Sequence, residues 1–144
     1  MSKPLASVVS LLFFLCAIFP ATAQSAVPQS TLTVYYFHTT FRCHSCTLLE
    51  QYTREAVMKN FPAEMKSGRM QFLVLNIEKE PNRHYVQDYQ LSFKSVVVSV
   101  KDETGREKRW ENLSKVWVYL SDRDALEKYV VERIRSQLKE APRA

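Results

Sequence analysis

The sequence predicts an α/β domain: a mixed central sheet with helices on both faces, its elements in the order β-α-β-α-β-β-α. Three observations predict it. Apolar runs rich in β-branched and aromatic residues recur at 31–37, 70–77 and 95–100, and the segments between them carry helical spacing. The third run is followed by a turn at Gly105 and a fourth strand. A long amphipathic segment then closes the chain, with Leu126, Val130, Ile134 and Leu138 at intervals of four.

Ahead of these elements, residues 1–23 (MSKPLASVVSLLFFLCAIFPATA) carry one lysine near the start, an apolar core from Val8 to Phe19, and small residues at Ala21 and Ala23. That is the layout of a secretory signal peptide, with cleavage expected between Ala23 and Gln24. As a helix the core would reach about 18 Å, short of the roughly 20 apolar residues that a membrane span needs. Membrane attachment is therefore expected only if the signal stays uncleaved, and the expected location is the bacterial periplasm or the exterior. Cys16 leaves with the signal. Residues 24–30 (QSAVPQS) read as a linker and residues 31–144 as one domain. Discarding 23 of 144 residues leaves 121, enough for a single core and too few for two.

The first strand, TLTVYYF at 31–37, is nearly free of charge, so it reads as buried on both faces. From Cys43 the texture changes: Leu48, Tyr52 and Ala56 recur every four residues, which makes a helix to about Asn60 that FPAEMKSG then ends. MQFLVLNI at 70–77 is the second strand. PNRHYVQDYQL at 81–91 begins with Pro and has Tyr85 and Tyr89 four apart, a short helix. SVVVSV at 95–100 is the third strand, and KDETGREKRW turns back through a left-handed Gly105 into the fourth. Ser121 with Asp124 resembles a capping box at the start of the last helix. Strands joined through helices imply parallel neighbours, and the hairpin adds an antiparallel edge.

The chemistry concentrates in CHSC, residues 43–46, at the junction of the first strand and the first helix. Sites in such sheets lie at the carboxyl ends of strands. Cys43 and Cys46 are the two cysteines left after cleavage, and in an oxidising compartment they are expected to pair. A thiol attacks a disulfide as thiolate, whereas a free cysteine with a pKa of about 8.5 is mostly protonated at neutral pH. Unpaired N–H groups in a helix's first turn stabilise the anion, and Arg42 and His44 add positive potential. Cys43 is thus the candidate nucleophile, and Cys46, one turn on and facing inward, the resolving thiol. Because the Cβ atoms of a bridge must come within about 4.5 Å, Cys43 should lie at the irregular entrance of the helix. His44 and Ser45 then tune which redox state is favoured.

The strand, the CxxC at a helix entrance, the passage FLVLNIEKEPNRHYVQDYQL, the hairpin and the closing helix together resemble the thioredoxin-like superfamily over most of the domain. More narrowly, YYFHTTFRCHSC with WENLSKVW is similar to small exported bacterial thioredoxin-like proteins labelled nitrophenyl compound nitroreductase subunit. The resemblance implies a three-layer thioredoxin-like sandwich. It also implies a thiol-disulfide oxidoreductase, or an electron-transfer protein, of unspecified direction, with no bound cofactor and a protein thiol or disulfide as partner. By the same resemblance Cys43 attacks and Cys46 resolves. With two glycines in the chain and no glycine-rich nucleotide motif, electrons would pass to another component. Three positions depart from the family pattern. Arg42 stands where thioredoxins usually have Trp, VYYF supplies no buried acid, and Ser95 falls where a cis-proline normally faces the disulfide. A cis bond before a residue other than proline costs about 2.5–4 kcal/mol, so a trans peptide is expected at Ser95.

Two other uses of the same pair stand beside this one. An inert bridge is disfavoured, because a loop this small constrains the unfolded chain little. A copper or zinc module would use Cys43, Cys46 and His44, with His38 and His84 as further candidates. Zinc wants four ligands, although copper(I) could accept two thiolates. His38 and His84 otherwise read as partly exposed, Tyr35, Tyr36 and Tyr52 as core packing, and Trp110 and Trp117 as core or hairpin cover. The mature net charge of +4 follows from 19 basic and 15 acidic residues and reads as a solvated surface. Basic residues cluster in GREKRW without interleaved aromatics, and export argues against nucleic acid. Oligomeric state leaves no mark in the sequence.

Overall fold

The computed structural model describes residues 30–140, so the expected signal peptide at 1–23 and nearly all of the expected linker lie outside the described residues. Four strands form one mixed sheet: β1 (Thr31–His38), β2 (Met70–Asn76), β3 (Ser95–Lys101) and β4 (Glu107–Asn112), in the spatial order β2-β1-β3-β4. β1 pairs parallel with β2 and antiparallel with β3, and β3 pairs antiparallel with β4. Among the helices, α1 (His44–Asn60) and α4 (Arg123–Glu140) are long, while α2 (Pro62–Lys66) and α3 (Tyr85–Asp88) are single turns.

The alternation of side chains along β1 assigns the two faces. Leu32, Val34 and Tyr36 point to one side and join Val96, Val98 and Val100 of β3 under Leu49, Ala56 and Val57 of α1 and Leu126, Val130 and Ile134 of α4. Tyr35 and Phe37 point to the other side, where Val97, Tyr89 and Leu91 cover them together with Tyr85 and Trp110. Tyr85 and Tyr89 stack with ring centroids 5.6 Å apart, the outcome of their four-residue spacing on α3 and its exit. The α/β class, the helices on both faces, the β1 expectation of burial on two sides, and the stripe on α4 all hold.

The direction of β3 differs from the expectation that strands joined through helices run parallel. Ser95 begins β3 opposite Phe37, at the end of the sheet where β2 finishes, so β3 runs back against β1 and β2. The reason is reach. A seven-residue strand spans roughly 23 Å, and a four-residue helix such as α3 returns the chain only about 6 Å. The antiparallel member is therefore β3, and β4 comes round parallel to β1.

Smaller departures have local causes. Phe61 closes α1, yet Pro62 immediately opens α2, because proline suits a first helical turn whose N–H has no partner. Helix α4 is capped by Asp122 rather than Ser121: Asp122 Oδ1 accepts from the Ala125 N–H at 3.0 Å. β2 is an edge strand, with Gln71 and Leu73 exposed. Gly105 holds the hairpin at φ +80°, as its turn requires. Among the described residues no helix is long and apolar enough to cross a membrane.

Candidate functional site

β1 ends at His38, and the chain reaches the entrance of α1 through residues 39–42. This loop is held to the end of β2. The Thr40 N–H donates to Glu78 Oε2 at 2.8 Å, Asn76 Nδ2 donates to Thr40 Oγ1 at 3.1 Å, and Asn76 Oδ1 in turn accepts from the Glu78 N–H. Hydrogen bonds from Thr40 keep the Glu78 carboxyl below its ordinary range. Phe41, at the loop's tip, is 75% exposed.

Cys43 is the N-cap of α1, with extended backbone at φ −79° and ψ 167°. Its sulfur accepts from the Cys46 N–H at 3.3 Å, and its carbonyl accepts from the Thr47 N–H at 3.1 Å. The expected irregular entrance is present: the Cα atoms of Cys43 and Cys46 stand 5.1 Å apart and the two sulfurs form a disulfide. Cys43 keeps partial exposure, whereas Cys46 is buried at 1%. An attacking partner can reach the first sulfur and not the second. The same N–H that now meets the Cys43 sulfur would donate to a thiolate there, and the first turn of α1 contains no acidic residue to oppose that charge.

The supporting residues fall into different places. His44 and Ser45 are exposed in the first turn of α1. Arg42, also exposed, hydrogen-bonds and ion-pairs with Glu50, and its guanidinium lies 5.9 Å from the centre of the Tyr36 ring. Its charge is thus engaged one helical turn beyond Cys46 and not on the sulfur. Ser95 is buried at the first position of β3, on the same end of the sheet as the CxxC, and its hydroxyl donates to the Phe93 carbonyl at 2.8 Å. Its peptide is trans, as is every peptide bond among the described residues.

Two residues of the site escaped the sequence. Tyr36, expected only to pack, is fully buried and donates its hydroxyl to the Cys46 carbonyl at 2.7 Å, tying β1 to the first turn of α1. Burial pushes its phenol up to about 12, partly offset by Arg42. Its signal was position: on a strand buried on two sides, Tyr36 faces the helix that carries the pair. Glu50 receives Arg42 and also Arg54, the latter at 2.9 Å. Burial works against ionisation of Glu50, but hydrogen bonds from Arg54 and Arg42 outweigh it and hold the carboxyl below its ordinary value. The Glu50–Arg54 spacing of four is visible in the sequence; the Arg42 contact is not, since Arg42 precedes the helix.

No protein-family model matches the chain, and no curated protein matches it. One solved structure, described as that of a malarial protein, is similar at 14% identity with a TM-score of 0.38, over 57% of this chain and 80% of its own. Likeness at that level carries no argument about fold or function.

The metal alternative finds no support in the arrangement. Among the described residues no three side chains of His, Cys, Asp or Glu gather as a metal would need, so His44 does not complete a set with Cys43 and Cys46. His38 directs Nδ1 to the Thr39 carbonyl at 2.8 Å, and His84 pairs with Asp88 at 2.7 Å.

Proposed function

We propose that the chain is an exported thioredoxin-like thiol-disulfide oxidoreductase that exchanges electrons with a protein partner through Cys43 and Cys46. The single observation that carries this is the asymmetry of the bridge: a partly exposed sulfur at the N-cap of α1 joined to a buried one a turn later. The CxxC at the entrance of the helix after β1, the hairpin and the closing helix packed beside α1 support the thioredoxin-like reading.

In the reducing direction, the Cys43 thiolate attacks a partner disulfide, forms a mixed disulfide and releases one partner thiolate. Cys46 loses its proton and attacks the Cys43 sulfur, so the second partner thiol leaves and the internal bridge forms. The oxidising direction is the same steps reversed. Burial of Cys46 confines the resolving step to the neighbouring sulfur. Tyr36, bound to the Cys46 carbonyl, holds that turn in place between the two states.

The test is trapping. Reduced Cys46→Ser protein, incubated with oxidised proteins of the exporting organism's envelope, is expected to accumulate mixed disulfides on Cys43 that dithiothreitol releases. Cys43→Ser should trap none. Equal trapping by both variants, or none by either, would refute exchange through an attacking Cys43 with a protein partner.

A further inference from the structure

Resting on that reading, we infer that Glu50 governs the acidity and oxidising strength of the Cys43 site by holding the Arg42 guanidinium away from the sulfur. Arg42 adjoins Cys43 in the chain, and a cation there would stabilise a thiolate. In the oxidised structure its guanidinium is committed to Glu50 and lies over Tyr36, whose hydroxyl already reaches the Cys46 carbonyl. The cation is therefore beside the first turn of α1 but neutralised.

What makes this a device and not simply an ion pair is the second cation. Arg54 holds the other oxygen of Glu50 at 2.9 Å, and Arg54 is itself placed 4.8 Å over the ring of Phe72 on β2. Glu50 would keep a partner if Arg42 left. Once reduction creates an anion at Cys43, the carboxylate and the thiolate compete for one guanidinium, and release from Glu50 strands no charge. The other charged or titratable groups at this end are accounted for: His44 is exposed in the first turn, His38 binds the Thr39 carbonyl, and Glu78 is tied to the Thr40 N–H with Lys94 nearby. Glu50 is a positioning residue in this scheme, acting on sulfur only through Arg42.

Glu50→Gln keeps the shape and removes the competing charge. Two readouts follow on the full folded domain: the rate of Cys43 alkylation by iodoacetamide against pH, and the equilibrium with dithiothreitol. In that equilibrium the two thiols of dithiothreitol become its cyclic disulfide, the Cys43–Cys46 bond breaks to a Cys43 thiolate and a Cys46 thiol, and one proton goes to solvent. E50Q should lower the alkylation midpoint by about one pH unit relative to wild type. It should also shift the equilibrium about tenfold toward the reduced form, about 30 mV for a two-electron couple. Arg42→Gln should move both in the opposite direction, and the double variant R42Q/E50Q should match R42Q alone.

Wild-type midpoint and potential retained by E50Q would overturn the inference, even where melting temperature falls, since a merely structural pair moves only the latter. A double variant R42Q/E50Q that differs from R42Q alone by the shift E50Q produces in the wild-type background would overturn it too, because the effect would not pass through Arg42. The wild-type profile separates this from the underlying reading. A wild-type midpoint well below that of an ordinary thiol with an unresponsive E50Q refutes the role of Glu50 and leaves exchange standing. An ordinary wild-type midpoint that E50Q lowers supports Glu50 and removes the basis for an activated Cys43.

Discussion

Tyr36→Phe removes the hydroxyl that fastens the resolving turn to the sheet. The ring stays, so the packing of β1 against α1 and the Arg42 stacking are preserved; what goes is the hydroxyl donated to the Cys46 carbonyl at 2.7 Å. A neutral internal hydrogen bond contributes about 1 kcal/mol net, so Y36F should be less stable than wild type by about that amount at pH 8. For a domain of this size the loss corresponds to a melting temperature lower by about 4 °C. The same burial gives a second, oppositely signed effect at high pH. A phenol raised from 10 to about 12 favours folding while it is neutral, below its unfolded value, and that advantage is lost as pH rises through the folded value. By pH 11 wild type would have lost about 1.4 kcal/mol at this site, one pKa unit's worth, and Phe loses none. The deficit of Y36F should therefore vanish near pH 11. Urea unfolding of both oxidised proteins from pH 8 to 11 measures it directly, and the difference between them cancels the buried tyrosines they share. A deficit unchanged across that range would refute a phenol held neutral against the Cys46 carbonyl.

Other substitutions probe the frame around the site. The Thr53 hydroxyl, fully buried on α1, has no hydrogen-bond partner among the described residues, so Thr53→Val should stabilise by about 1 kcal/mol in urea unfolding; a loss would mean that the hydroxyl is bound after all. Gly105→Ala meets no atom within 4 Å, so its expected cost of about 1–2 kcal/mol is conformational, from φ +80° alone, and a neutral result in thermal melts would refute a left-handed turn there. Asp102 accepts from the Thr104 hydroxyl and N–H and from the Arg106 N–H, and Lys108 pairs with it at 3.2 Å. The Thr104 hydrogen bond, with those from Arg106 and Lys108, holds its carboxyl far below the usual range. Its contribution is present above the ordinary Asp value and is lost as pH falls through the depressed one. Asp102→Asn should therefore melt lower at neutral pH, and its deficit should narrow in acid; a deficit that widens in acid would contradict this.

The legible parts of the fold were those set by burial. The β1 run could not be satisfied on one face, and the alternation of Tyr35 and Phe37 with Val34 and Tyr36 between two clusters is what an uncharged strand demands. The CxxC was legible because two polar-chemistry side chains sit where strand texture ends and helical spacing begins. The direction of β3 was not, since it depends on how far a connection travels, and the 81–91 segment reads as one helix while the structure gives a 3₁₀ turn at Glu80–Asn82 and one turn of α3. The edge position of β2 was not legible either, because an apolar run fits an edge strand as well as a central one. Tyr36 and Glu50 were hidden because their roles are contacts with Cys46 and Arg42, set by how α1 lies on β1.

The most direct measurement is the pH dependence of Cys43 carboxymethylation, followed by mass spectrometry after mild reduction with dithiothreitol. An activated sulfur at the helix entrance predicts that the bridge opens readily, that Cys43 is labelled before Cys46, and that the rate reaches half its maximum well below the value of about 8.5 for a free thiol. A bridge that resists dithiothreitol, or a midpoint at the free-thiol value, would contradict the account.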